Sequence, residues 1–437
     1  MTDLLQPFVP TAADPFDLRK AGHLLRRAGW SGSLRQRREL VSAGVAAAVE
    51  SVMPAAAVPP GPELLQEAIA FGDIEHVRSH RVHACLQSNH PLRERMSSLW
   101  HDHFATSNKK LLDPRSMALQ QAMFDRLGLD TFDALLLAVS RDPAMLRWLD
   151  NDTNRKGHPN ENFARELFEL FALGRGCYSE RDVVEAARAF TGWHVIDGQF
   201  HFLAAYHDAG DKELFGQRAA FGGEQVVSMT AARPESARWI AERLLRFFVH
   251  PQPSAEEVEA LARCYTQQQR HLGRTVQTLL ASRLFFSARV YRSKVKSPAE
   301  FVLGLVRLLG ARAAPAELAR AMGAMGESWL EPPTVEGWPR DMAWLNPATW
   351  LLRANFAADL LEGRRGKLRP AADDLVAAAG KPSERVAAAV DLLLDGDVTA
   401  ASRARLLAFA ARRAAAGPGG GAALLHATAC TPEFQLL

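Results

Sequence analysis

The sequence has few cysteines, no long apolar run and no excess of charge of one sign. Its four cysteines, Cys85, Cys177, Cys264 and Cys430, lie far apart and form no Cys-x-x-Cys pair, which argues against a thiolate zinc site or a disulfide framework. No window approaches about 18 consecutive apolar residues, so we expect no membrane span. With 52 basic and 49 acidic residues the net charge is +3, which gives no electrostatic case for binding nucleic acid.

The N-terminus lacks a cationic stretch followed by an apolar run, and it lacks a twin-arginine leader. We therefore expect a soluble, cytoplasmic protein, with export beside a partner left open. The chain also lacks strand–helix alternation, a Gly-x-Gly-x-x-Gly turn, a Walker loop and a Gly-x-Ser-x-Gly elbow. No nucleotide cofactor is expected.

Helical periodicity dominates what remains of the 437 residues, of which 48% are hydrophobic. We predict an all-α fold, a multi-helical single globular unit with two irregular loop inserts at about 195–227 and 326–347. The first insert has the alternation of one short hairpin. We divide the chain into an extended N-terminal segment (1–15), a helical core domain (16–365) and a C-terminal helical extension packed on the core (366–437).

The segment 141–194 carries most of the polar residues that a core would not explain. A helix is predicted between Pro159 and Gly174, with Phe163, Leu167, Leu170 and Phe171 on its core-facing stripe. Its polar residues fall on neighbouring arcs: Asn162, Glu166 and Glu169 on one, and Glu161, Arg165 and Glu169 on another. Glu166 borders the apolar stripe, so we expect it to be half-buried and in need of a partner. The alternative is a surface helix laced with ion pairs. Ser179 and Asp182 predict the start of the next helix by a capping box.

Three further polar groups are candidates for chemistry. The first is Trp100-His101-Asp102-His103-Phe104, for which a solvated helix end is the alternative, and the second is Tyr206-His207-Asp208 with Lys212, for which a hydrogen-bonded turn is the alternative. The third is Glu336-Gly337-Trp338, which we interpret as an aromatic wedge in the core.

Histidine nitrogens and carboxylate oxygens without thiolates suit Zn, Mn or non-haem Fe. We therefore predict a divalent metal held by His101, His103, Glu166 and His207, in a hydrolytic or oxidative enzyme. The expected catalytic residues are Glu169, Asp208 and Arg165, and the other expected site residues are Asn162, Glu161 and Lys212.

Three alternatives stay open. Without a metal, the same residues could form His/Glu acid–base pairs. The polar motifs could instead be a buried structural network in a non-catalytic scaffold or escort protein. A peptide- or glycan-binding module is the third alternative, based on the aromatic residues Trp329, Trp338, Trp344 and Trp350.

The order of several motifs resembles a known bacterial family. HLLRRAGW, LRERMSSLWHDHFATS, NENFARELFELFALG, YHDAGDKELFG, KSPAEFVLGLVRLLG and PPTVEGWP are similar to the family catalogued as domain of unknown function 1800. The resemblance implies a mostly helical fold and places His101, His103, Asn162, Arg165, Glu166, His207 and Asp208 in signature motifs. It also implies a partner, the sulfatase-like domain of unknown function 1501, which is often encoded beside it. It implies no reaction.

Overall fold

The predicted helical fold is confirmed by a computed structural model, in which helices dominate and strands form two small sheets. The structure describes residues 3–54, 66, 69–70, 72–364, 376, 378–415 and 420–437. The predicted domain boundary at 365–366 lies outside these residues, so the three-part division stays a prediction. Within the described ranges, no helix combines the length and apolarity that crossing a membrane requires.

The α-helices are numbered in chain order. They are α1 Leu18–Ala28, α2 Leu34–Ala43, α3 Val45–Val52, α4 Ile74–Gln87, α5 Pro91–His103, α6 Asn108–Leu111, α7 Pro114–Leu127, α8 Phe132–Ser140, α9 Pro143–Trp148, α10 Asn162–Glu166, α11 Glu180–Ala189, α12 Gly223–Ala231, α13 Pro234–Phe248, α14 Ala255–Gln267, α15 Leu272–Leu280, α16 Pro298–Leu309, α17 Pro315–Ala324, α18 Pro347–Leu361, α19 Pro382–Leu394, α20 Ala400–Ala415 and α21 Gly421–Ala429.

Local sequence explains many helix starts. The capping box predicted at Ser179 and Asp182 is confirmed, with the Ser179 side chain accepting from the Asp182 amide. Ser297 and Glu300 form the same reciprocal pair at α16, and Pro298 occupies its first turn, where no backbone donor is needed. These caps fix where helices begin beside the irregular segments.

The first predicted insert contains two antiparallel hairpins rather than one. Strand β1 (Trp193–Ile196) pairs with β2 (Gln199–Phe202), and β3 (Lys212–Leu214) pairs with β4 (Gln217–Ala219). The second insert is irregular, as predicted, apart from one 3-10 turn at Asp341–Trp344. The strands are only three or four residues long. The pairing of such short strands depends more on the geometry of the connecting turn than on the periodicity of the sequence.

Apolar side chains form two buried clusters. One is built mainly from helices before residue 290, and the other joins α4, α16, α17 and α18 to the C-terminal helices α19, α20 and α21. The irregular segment 326–346 contributes Trp329, Trp338 and Trp344 to the second cluster. The region between residues 290 and 300 therefore links the two clusters.

A buried carboxylate ties the C-terminal helices to the N-terminal ones. Asp395, at the end of α19, accepts hydrogen bonds from Arg26 of α1 and from Arg37 of α2, the latter at 2.5 Å. The Asp395 side chain is fully buried, and the two arginines are at most 6% exposed. Gly22 of α1 allows this approach, because a Cβ at that position would overlap the Asp395 carboxylate.

We expect Asp395→Asn to lower the free energy of unfolding by about 3–5 kcal/mol, because two buried guanidinium groups would lose their counter-ion. Asparagine tolerates the left-handed backbone of this residue (φ +55°), so the change isolates the charge. Urea unfolding measures the loss. The control is Glu39→Gln, which removes an exposed pair with Arg35 and should cost less than about 1 kcal/mol. Equal effects of the two changes would contradict the argument.

Candidate active site

The last turn of α5 holds the irregular segment against the helix. Nε2 of His101 accepts a hydrogen bond from the Leu330 amide at 3.0 Å. The Asp102 carboxylate accepts from the Trp338 amide at 2.9 Å and from the Arg340 guanidinium at 2.9 Å. These residues are therefore not a solvated helix end, because two of them fix the backbone of residues 330–340.

His103 contacts a different element. Its Nε2 donates to the carbonyl of Phe171 at 2.8 Å, and the Trp239 indole donates to the carbonyl of Leu170 at 2.9 Å. Both carbonyls belong to a π-helical turn, Leu167–Ala172, that continues directly from α10. The last carbonyls of a helix lack partners in the helix itself, so the imidazole and the indole satisfy them.

The π-helical turn also corrects the predicted core stripe. Phe163, Leu167 and Phe171 are buried as expected, but Phe168 is fully buried and Leu170 is only half-buried. A π-helix has more residues per turn than the 3.6 of an α-helix, so positions after Leu167 rotate relative to the predicted face.

Both histidines are neutral near physiological pH. Burial lowers the pKa of His101 to about 3, helped by Arg81, and burial lowers the pKa of His103 to about 3, helped by Arg243. Because a neutral imidazole has one proton, the hydrogen bonds assign it: to Nδ1 in His101 and to Nε2 in His103. Nδ1 of His101 is buried without a hydrogen-bond partner in the described structure. Nδ1 of His103 keeps its lone pair.

The two histidines line a cavity of about 430 Å³. Four tryptophans line it as well: Trp30, Trp329, Trp338 and Trp344. The Trp338 ring packs against His101 with centroids 5.1 Å apart. Three of the four aromatic residues singled out in the sequence thus lie together, while Trp350 is 37% exposed elsewhere. Trp338 is a wedge in the core, as we interpreted it, and also a cavity wall.

Most cations of the cavity are paired. Arg95 binds Glu300 at 2.6 Å, Arg340 binds Asp102, Arg81 binds Asp125 at 2.6 Å and Arg246 binds Glu242 at 2.6 Å. Arg243 and Lys294 differ, because neither has a carboxylate within salt-bridge distance in the part of the chain that the structure describes. The Arg243 guanidinium instead lies 4.2 Å from the Trp239 ring centroid. Arg243 lines both the cavity and an adjoining open groove.

Lys294 directly precedes Val295 in the chain, and its side chain reaches the end of α13. Its ammonium nitrogen donates to the carbonyl of Phe247 at 2.6 Å. The side chain is half-buried, and burial of its ammonium group lowers the pKa to about 7. Four charges act on it from the surrounding elements, namely Glu300 from α16, Arg27 from α1, Arg95 from α5 and Asp341 from the 3-10 turn. Burial lowers the Lys294 pKa by more than the nearby Glu300 carboxylate raises it.

Two carboxylates in the cavity lack a salt bridge in the described structure, Glu327 and Asp341. The Glu327 carboxylate accepts from the Ala299 amide at 2.8 Å and from the Trp329 indole at 3.1 Å. Burial raises the pKa of Glu327 to about 7. Glu327 and Lys294 therefore both change protonation state near neutral pH, in one cavity.

The predicted residues of α10 and the π-helical turn lie mainly on the surface. Arg165 pairs with Glu161 at 3.1 Å and with Glu180 at 2.8 Å, which matches the alternative of a surface helix with ion pairs. Asn162 donates to the carbonyl of Leu149. Glu166 is half-buried as predicted, and burial raises its pKa.

Among these carboxylates, Glu169 is the one that lines a groove with His103. It binds Arg175 at 2.6 Å and accepts from the Tyr178 hydroxyl at 3.2 Å. It lines the open groove together with His103 and Arg243. The structure therefore brings Glu169 and His103 to one groove.

His207, Asp208 and Lys212 form a network within their own loop. Nδ1 of His207 donates to the Thr191 carbonyl at 2.8 Å. Asp208 binds Arg188 at 2.8 Å, and that hydrogen bond is the main reason why the Asp208 pKa falls to about 2. The Lys212 ammonium donates to the carbonyls of Asp208 and Gly210. These contacts match the hydrogen-bonded turn that was the alternative for this motif.

The described residues contain no group of three or more histidine, cysteine, aspartate or glutamate side chains placed to hold a metal ion. His101 and His103 share a cavity, whereas Glu166 and His207 do not line it. The four predicted ligands are thus not brought together. The metal site stays a prediction.

Comparison with known families supports the motif resemblance. The profile of a protein family of unknown function, DUF1800, matches residues 23–436. The chain belongs to the DUF1800 family. No curated protein and no solved structure matched the chain. The range matched by DUF1800 includes every cavity residue named above, but the family description assigns none of them a role.

Sequence reasoning missed Lys294, Arg243 and Glu327 in this DUF1800 chain. The KSPAE stretch, which begins two residues after Lys294, has a recognisable capping box. Lys294 itself belongs to no sequence motif that would have indicated a function. Arg243 lies on an ordinary amphipathic helix. The tryptophan-rich stretch and the motif around His101 and His103 were the sequence features that pointed to residues of the cavity.

We expect His103→Gln to flatten the dependence of stability on pH in chelator-treated protein. The folded imidazole, with a pKa of about 3, stays neutral while the unfolded one takes up a proton below about pH 6.5. Its contribution is therefore present above pH 6.5 and lost as the pH falls toward 3, by up to about 1.4 kcal/mol per pH unit relative to the variant.

Urea unfolding of both proteins at stepped pH measures this difference. Comparing the two cancels the opposite contributions of groups such as Glu327, whose raised pKa favours folding at lower pH. His83→Gln, at an exposed histidine, controls for the exchange itself. Parallel curves for wild type and His103→Gln would contradict the assignment of a buried neutral imidazole.

Proposed function

We propose that the cavity beside His101 and His103 is the active site of an enzyme, and that the amine of Lys294 is its base or nucleophile. The supporting observation is that Lys294 lines a tryptophan-walled cavity without a carboxylate partner in the described structure. An ammonium group without a counter-ion destabilises a fold. Such unfavourable placements concentrate at functional sites.

The chemistry follows from the protonation state. With a pKa of about 7, a large fraction of Lys294 carries a free lone pair at neutral pH. An ordinary lysine is deprotonated in fewer than about one in a thousand molecules under those conditions. A neutral lysine amine can accept a proton or attack an electrophilic carbon.

The size of the cavity favours a small organic substrate. A volume of about 430 Å³ lies in the range of about 300–1,000 Å³ that is usual for small-molecule sites. The indole walls would exclude water from a bound substrate. Glu327 adds a second group that titrates near neutral pH, which suits proton transfer in either direction.

Trace acetylation across a range of pH tests this proposal without a known substrate. We expect labelling of Lys294 to reach its half-maximum near pH 7, because the amine loses its proton there. Labelling of an ordinary lysine should rise until about pH 10. Peptide mass spectrometry reads both values from one sample.

Two lysines of the same chain serve as references. Lys109 is exposed, and Lys296 is 3% exposed and does not line the cavity, so Lys296 should stay unlabelled in the folded protein. If labelling of Lys294 rose in parallel with Lys109, or if Lys294 stayed as unreactive as Lys296, the proposal would be wrong.

A metal-dependent reaction is the second candidate, and one observation favours it. The Nε2–H of His103 donates to the Phe171 carbonyl, and Nδ1 keeps its lone pair. This is the arrangement that orients histidine ligands in metal sites. Zn, Mn or Fe would then bind at Nδ1 of His103. The described residues place no group of three or more histidine, cysteine, aspartate or glutamate side chains around one point, so the further ligands are not identified.

Elemental analysis of protein produced with each metal tests the second candidate. We expect about one equivalent of one metal in the wild type and its loss in His103→Ala, while His83→Ala, at an exposed histidine, retains it. Wild-type protein without stoichiometric metal after growth with all three would count against it.

A further inference from the structure

The cavity adjoins an open groove of about 720 Å³ beside α13. The residues that line both spaces are His103, Arg243, Trp338, Pro339 and Arg340. The groove is also lined by Trp239 of α13 and by the start of the irregular segment, from Pro333 onward. Arg243 therefore lies at the junction of the groove and the cavity.

The Trp239 ring holds the Arg243 side chain at this junction. The two residues are four positions apart on α13, so they share one helix face. The Trp239 indole donates to the Leu170 carbonyl at 2.9 Å, and its ring packs against Gly174, where an added Cβ would lie 2.8 Å from a ring carbon. The Arg243 guanidinium lies 4.2 Å from the centroid of this fixed ring. A guanidinium that stacks by its face leaves the N–H donors at its edge available.

Arg243 has no salt bridge with any described residue, because the carboxylates around it pair with other cations. Those pairs are Asp102 with Arg340 at 2.9 Å, Glu242 with Arg246 at 2.6 Å, and Glu169 and Glu336 with Arg175 at 2.6 and 3.7 Å. The charge of Arg243 is thus the one left unbalanced in this group of described side chains.

The surroundings make that unbalanced charge costly. Burial lowers the pKa of Arg243 to about 10, the positive charge of Arg340 adds to the effect, and Asp102 opposes it. His103 at the same junction is neutral near physiological pH and supplies no counter-charge. A bound anion would offset both the lost hydration and the repulsion.

We propose that this junction binds a carboxylate through the free donor edge of Arg243, and that the ligand is a small organic acid. The edge of a guanidinium matches both oxygens of a carboxylate, and one unbalanced positive charge matches one carboxylate. The groove has the volume of a small-molecule site and offers indole surface to the rest of the ligand. The inference goes beyond the proposed function and requires nothing of Lys294, so a failed acetylation test would leave it standing.

Fluorine NMR titration of the full-length protein with para-fluorobenzoate tests the proposal. Para-fluorobenzamide has nearly the same shape without the charge. We expect the benzoate to bind with a dissociation constant at least about tenfold lower than that of the benzamide, because the contact with Arg243 is charge-assisted. Equal affinities, or no binding of the benzoate, would overturn the proposal.

Arg243→Gln locates the preference for the charged probe. This variant should bind the benzoate no better than the benzamide, and thermal unfolding checks that it folds. The matched control is Arg238→Gln on the same helix, which removes an exposed pair with Glu259 outside the groove and should keep the preference. If Arg243→Gln kept the preference, or if both variants lost it, the role of Arg243 would be wrong.

Protection from phenylglyoxal, a reagent for arginine, locates the site in the unmutated protein. We expect para-fluorobenzoate to slow the labelling of Arg243, as read by peptide mass spectrometry, and to leave exposed Arg38 unaffected. Inorganic phosphate should protect Arg243 less. Stronger protection by phosphate would overturn the carboxylate assignment, and an Arg243 that the reagent does not reach would contradict its free donor edge.

Discussion

The cavity depends on the removal of water from the last turn of α5. A helix end normally satisfies its polar groups with solvent. Here His101 and Asp102 accept hydrogen bonds from the backbone of the irregular segment, at Leu330 and Trp338. Gly337 makes this approach possible, because its φ of +93° suits glycine and a Cβ there would overlap Asp102. Tryptophans carried by that segment then become cavity walls.

The same turn of α5 also fixes the segment richest in motifs. His103 caps the π-helical turn after α10, and Trp239 of α13 caps it one residue earlier. Two helices distant in sequence thus converge on one helix end. A π-turn of this kind places carbonyls where an α-helix would not, and it is frequent at functional sites. The His103 hydrogen bond thus places the motif at 101–103 against the turn that ends the motif at 162–174.

Sequence reasoning predicted the helical class, the capping box at Ser179 and the half-buried position of Glu166, because periodicity and caps are local properties. It misplaced Leu170 and Phe168, since nothing in the local sequence announces the change from 3.6 residues per turn. It gathered His207 with the other histidines on composition alone, whereas Thr191 holds His207 within its own loop. Convergence in space depends on long-range packing, which a single sequence does not show.

Among the described residues, the charged side chains of the cavity divide into those with a salt-bridge partner and those without one. Where Arg95 meets Glu300 or Arg81 meets Asp125, each buried charge has a partner and a structural role suffices. Lys294 and Arg243 instead line the cavity without such partners in the described structure, and backbone and aromatic contacts replace only part of the lost hydration. If these two positions served packing alone, apolar residues would fill them without that free-energy cost of lost hydration. In the proposed function, a small molecule enclosed by the indoles supplies polar partners that these two groups lack in the described structure.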